Sequence, residues 1–242
     1  MKNKISRILL ISLVFILSKS MFAEGNPLPD FNAGSMNWGT QRYKFTLIKN
    51  EEKTELGSVT LRSKLSGDQV LLTDEYLLSI GGKPMSLNMT QVCRKDQYLS
   101  PVKIECKGKG SDEMPTFKAT IKDGQAEISG PGRGLKKIPE GTVTSAAFMR
   151  IVTQLPRVDG ATYRYAFALE ASEMNLKKDY IAKVIGKETI FCDGEPVKCW
   201  KISQNGGGIR EQLFWVTENG ILQRVLQDGR KQIDLQTGEP GD

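Results

Sequence analysis

Short turns rich in Gly, Asn and Asp recur between strand-like segments of this chain, and they restrict it to an antiparallel β-architecture. Gly81-Gly82, Asp123-Gly124, Asn205-Gly206-Gly207-Gly208, Glu218-Asn219-Gly220 and Asp228-Gly229 all sit in this way. A connection this short returns the chain alongside itself, whereas a parallel neighbour needs a crossover of a dozen or more residues. Asp-Gly and Asn-Gly also supply the positive φ angles that tight hairpins demand.

The segments between the turns have period two. Tyr43, Phe45 and Leu47 alternate with Arg42, Lys44 and Thr46, which describes a strand with one face buried. Val70, Leu72, Tyr76, Leu78 and Ile80 share one parity, with Asp74 its single polar interruption. Phe117, Ala119 and Ile121 precede the Asp123 turn, and Ala126 and Ile128 follow it. Later, Tyr163, Tyr165, Phe167 and Leu169 line one face. Segments 180–185, 187–192, 199–203, 209–217, 221–227 and 231–235 continue the pattern. Gly130 to Gly141 has no regular period, matches neither Gly-rich phosphate-binding pattern, and reads as a connection.

One segment beyond residue 24 has helical spacing. Thr144 or Ser145 can cap it; Ala147, Phe148, Ile151, Val152 and Leu155 share a face, Arg150 and Gln154 point away, and Pro156 ends it. So short a helix is unstable alone and must dock on the sheet. The expected fold is mainly β: a large antiparallel curved sheet, a half-barrel-like meander, with one short helix around 145–155.

At the N-terminus, Lys2, Lys4 and Arg7 precede the apolar run Ile8 to Leu17. That is the layout of a secretory signal peptide, too short to span a bilayer. Cleavage is placed after Ala23, with Ser20 the alternative. Residues 24–40 then read as a loose arm, and 41–242 as one β-rich domain that could comprise two halves joined near 130–143. Of 34 Lys and Arg, four lie in the signal, which leaves 30 against 28 acidic residues, a net charge of +2. The basic pI therefore owes much to a discarded segment, and nucleic acid is not an expected partner. The expected localisation is periplasmic or secreted, with no transmembrane segment in the mature chain.

Histidine is absent. That closes Ser-His-Asp and Cys-His catalysis and His-ligated zinc. Cys93, Cys106, Cys192 and Cys199 flank two turn-rich stretches, so an exported chain is expected to close them as two local hairpin disulfides. Neither pair has zinc-knuckle spacing, and neither a metal nor a cofactor is expected.

The stretch from Thr144 to Gln236 joins the helix, the Val184-Ile185-Gly186-Lys187-Glu188 strand and Phe214-Trp215-Val216, followed by Asn219-Gly220-Ile221-Leu222-Gln223-Arg224. It resembles bacterial exported proteins of unknown function whose end recurs as a G-x-E strand and a W-V-x-x-x-G-x-L-x-R hairpin. Those are similar in turn to the half-barrel of the periplasmic lipoprotein carriers and their outer-membrane acceptors. The resemblance implies a non-enzymatic envelope protein holding an apolar or lipid-like ligand between sheet and helix, or presenting a surface to an envelope partner. Phe148, Ile151, Val152 and Leu155 would then face Tyr163, Tyr165 and Phe167 across a cavity. The alternatives are a structural module with no small ligand, or a carboxylate hydrolase drawing on Asp74, Glu75 and Glu170.

Overall fold

The computed structural model describes residues 25–36, 38–111, 114–130, 133–206 and 209–236. The signal segment 1–23 lies outside them. The strands are β1 (Asn26–Pro27), β2 (Gly39–Lys49), β3 (Glu52–Ser66), β4 (Gln69–Ile80), β5 (Lys83–Arg94), β6 (Pro101–Lys109), β7 (Thr116–Lys122), β8 (Gln125–Ser129), β9 (Gly134–Lys137) and β10 (Thr142–Thr144). Helix α1 (Ser145–Ile151) follows, and a 3-10 turn at Val152–Gln154 extends it. The chain finishes with β11 (Thr162–Glu170), β12 (Asn175–Cys192), β13 (Glu195–Gly206), β14 (Ile209–Thr217), β15 (Leu222–Gln227) and β16 (Lys231–Leu235).

Among the described residues, the 16 strands belong to one unclosed sheet. From β2 to β9 and from β11 to β16, neighbours in sequence are neighbours in space and antiparallel, as the turns require. The two runs meet where β16 pairs with β2, with Ile233 opposite Phe45, so both lie in one continuous sheet. At one end of the sheet, β1 and β10 run parallel to β11 and cover its outer edge. At the other end is β9, whose four residues are all exposed. A strand without a buried face leaves no alternation to read, which is why the sequence suggests only a connection there.

Two expected strands, 180–185 and 187–192, are one. The register slips between Val184 and Gly186, and Gly186 takes φ +143°, so the 18-residue β12 bends at a bulge instead of ending.

The inner face of the sheet and the helix share the main core. Tyr43, Val59, Leu61, Val70, Leu72, Ile202, Phe214 and Leu222 pack there with Phe148, Ile151, Val152 and Leu155. A second cluster joins Met89, Ile104, Phe117, Ile121 and Ile128 to Leu169, Ala171 and Met174, so strands far apart in the sheet order meet as it curls. Lys136 Nζ donates across the same gap to the Met174 carbonyl, at 3.1 Å.

The described residues of the arm, 25–36 and 38–40, pack against the body of the fold. Leu28 and Met36 are 2% and 5% exposed within the main core, and the Asn32 N–H donates to Gln154 Oε1 at 3.0 Å. Apolar side chains in an otherwise turn-like stretch hold it against the helix. Because β1 pairs with the start of β11, at Tyr163 and Arg164, the arm closes that end of the curved sheet.

Candidate functional site

Thr144 caps the helix: its Oγ1 accepts the Ala147 N–H at 3.0 Å while donating to Gln91 Oε1 at 2.7 Å. This fixes where the helix starts. Its position on the sheet is set by a charge. Arg150, expected to face solvent, is 5% exposed, and its Nη2 lies 2.8 Å from Asp74 Oδ1. Its Nε donates to Ser63 Oγ at 3.1 Å, its Nη1 to the Ala146 carbonyl at 3.1 Å and its Nη2 to the Arg62 carbonyl at 3.2 Å. Neither Asp74 oxygen accepts an aligned hydrogen bond, so its compensation is almost entirely ionic. Burial drives the Tyr43 and Tyr76 phenols well above their ordinary range, with Arg150 and Asp74 acting on both in opposite senses. Asp74, the polar break in an apolar parity, is thus the counter-ion of the helix. Gln154, also expected to point away, receives the arm.

Of the residues expected to line an apolar cavity, Phe148, Ile151, Val152, Leu155, Tyr163 and Tyr165 lie in the main core, whereas Phe167 is half-buried outside it. The Phe148 ring stacks on Tyr165 at 5.5 Å and meets Phe214 edge-on at 5.3 Å; Tyr165 stacks in turn on Tyr180 at 5.3 Å. These side chains touch one another across the space between helix and sheet.

A pocket remains at the opposite end of β11 from the arm. Its volume is about 50 Å³, and Val143, Phe148 and Leu169 form its apolar wall. That is room for about three or four waters. The other wall is polar: Gln204, Gln212 and Gln227 lie directly opposite one another on β13, β14 and β15. Gln204 Nε2 donates to Tyr165 Oη. Glu170 stands at the margin, its carboxyl pushed up first by burial and then by Glu173. The glutamines escaped the sequence reading, although a signal was there: they share parity with Ile202, Phe214 and Val225, as Asp74 does with Leu72.

The remaining carboxylate candidates are engaged elsewhere. Glu75 accepts from Arg62 at 3.2 Å, and Asp74 belongs to Arg150. Among the described residues no group of His, Cys, Asp and Glu is placed to hold a metal ion.

The expected disulfides are corrected by the strand register. Cys106 lies opposite Met89 and Cys93 opposite Pro101; Cys199 lies opposite Glu188 and Cys192 opposite Glu195. Cys192 and Cys199 are therefore offset by four residues, and Cys93 and Cys106 by four on β5 and five on β6, about 13 Å or more along the strands, whereas a disulfide needs Cα atoms within about 7 Å. All four thiols are buried and free. Burial pushes Cys93 up to about 12, Cys106 and Cys199 up to about 11, and Cys192 in the same direction. Thiolate is the reactive form and is scarce at pH 8 under those conditions. The folded protein should therefore be inert to a thiol reagent that titrates all four cysteines once it is denatured without reductant. Fewer than four reactive thiols in that denatured sample would show that the register misplaces a pair.

No known family profile matches the chain, and no curated protein matches it. Among solved structures, it is similar to a β-barrel-like protein of domain of unknown function DUF1849 from Brucella abortus. The two are 12% identical over 82% of this chain and 98% of that one, with a TM-score of 0.53. The hypothetical lipoprotein YmcC from Escherichia coli (K12) is 15% identical over 95% of this chain and 97% of that one, with a TM-score of 0.36. No helix among the described residues is long and apolar enough to cross a membrane. The first likeness is one of fold, and it bears out the expected architecture: a large, curved, barrel-like β-sheet around one short helix.

Proposed function

We propose that this is an exported, non-enzymatic envelope protein that binds a small ligand at the pocket end of its curved sheet and does not carry an acyl chain within it. The observation that carries the reading is the contrast between two neighbouring spaces beside the helix. Aromatic stacking fills the region between helix and sheet, while the pocket beside Thr144 holds solvent-sized space and convergent polar groups. Export is supported by the signal-like N-terminus. The absence of histidine from the sequence and the ion pairs that engage Asp74 and Glu75 favour a binding role over catalysis.

Expression of the full chain in a Gram-negative host tests both parts. The protein should reach the periplasm or medium with a new N-terminus at Glu24 or Met21, and native mass spectrometry should find no stoichiometric lipid. A co-purifying acyl chain that dissociates with unfolding would sink the second part; retention of the intact N-terminus in the cytoplasm would sink the first.

A further inference from the structure

We propose that the pocket beside Thr144 recognises a neutral, polyhydroxylated ligand of the sugar class through the in-register amides of Gln204, Gln212 and Gln227. The inference rests on the reading that a small ligand binds at this end of the sheet, and names its chemistry.

Gln204 pairs with Gln212 across β13 and β14, and Gln212 with Gln227 across β14 and β15. Adjacent strands lie about 4.8 Å apart, so the three side chains form a ladder with that spacing. Each amide offers an acceptor oxygen and an NH₂ donor, the complement of a pair of neighbouring hydroxyls that both donate and accept. Gln204 is held in place because its Nε2 donates to Tyr165 Oη, which leaves the Tyr165 O–H as a donor. Gln212 and Gln227 are half-buried, and their amides make no side-chain hydrogen bond among the described residues. The Tyr180 hydroxyl is likewise uncommitted, while its ring stacks on Tyr165.

Other ligand classes fit less well. Among the described residues no Lys or Arg lines the pocket, and the one charged group that does, Glu170, would repel an anion. An apolar ligand would strip water from the amides without replacing their hydrogen bonds, at about 1–3 kcal/mol for each group. A cation would meet one carboxylate among the described lining residues, Glu170, set between acidic neighbours (Glu173, Asp228) and basic ones (Lys177, Lys231) that act on it in opposite senses. A neutral ligand rich in hydroxyls satisfies the ladder. The volume of about 50 Å³ admits the edge of one ring, with the rest in the mouth.

NMR titration of the protein with glucose, N-acetylglucosamine and maltose tests the assignment, with acetamide and decanoate as contrasting probes. At least one saccharide should shift the NH₂ signals of Gln204, Gln212 and Gln227 saturably. The double variant Q212L/Q227L should weaken that binding about tenfold or more, since two hydrogen-bonding amides are lost. Tyr180→Phe, which keeps the ring, should weaken it less. If acetamide or decanoate moves these signals and no saccharide does, the sugar assignment is overturned while binding at this end stands. If no probe moves them, both fall. Saccharide binding that Q212L/Q227L leaves unchanged also overturns the assignment.

Discussion

Asp74→Asn should destabilise the protein by about 3–5 kcal/mol, the cost of leaving a buried charge without its partner. The substitution preserves volume and removes charge, so it isolates the ionic contact of 2.8 Å from packing. Arg150 would keep its bonds to Ser63 Oγ and to the Ala146 and Arg62 carbonyls, all neutral acceptors. For a chain of this size, the loss corresponds to a fall in Tm on the order of 10 °C. Replacing both partners, as D74L/R150M, should recover most of it, because well-packed apolar side chains often match a buried pair in stability. A double-mutant cycle by chemical denaturation measures the coupling. A single-variant loss below about 1 kcal/mol would mean that water reaches the pair and that it does not fix the helix.

That ion pair also shows how much of the architecture the amino acids disclose. The hairpin turns and the period-two segments place nearly every strand, because a short link between half-buried strands allows few geometries. Helical spacing puts Arg150 outside the apolar face of α1, but a helix covered by a curved sheet and by Leu28 and Met36 has little wet face to offer. The clue was in two anomalies of opposite sign, a polar residue on an apolar strand parity and a cation on a docked helix. The cysteines carry a similar lesson. Both pairs do flank hairpins, yet Cys192 stands next to the Asp193-Gly194 turn while Cys199 is five residues beyond it. Cross-strand partners must be equidistant from the turn, and these are not. The pocket was less legible because its glutamines come from three strands, and only the register brings them together.

Phe148→Ala should cost about 3–5 kcal/mol, the range for deleting a buried aromatic ring. The residue is fully buried and joins Tyr165 from the β11 side of the core to Phe214 on β14, so neither neighbour can move in without losing its own contacts. The surrounding structure should therefore relax only partly and leave an apolar cavity large enough for a small aromatic molecule. Benzene then distinguishes a full interior from a spacious one. It should raise the Tm of the variant by mass action and leave that of the wild type unchanged, since a ligand stabilises only a state with room for it. Decanoate should likewise leave the wild type unchanged, because an acyl chain has no space between helix and sheet. Stabilisation of the wild type by either probe, with a cost for Phe148→Ala below about 1 kcal/mol, would show that helix and sheet part easily. Such a result would return the interior to the role of a carrier's cavity. The expected contrast would leave the polar pocket beside Thr144 as the candidate site for the proposed ligand.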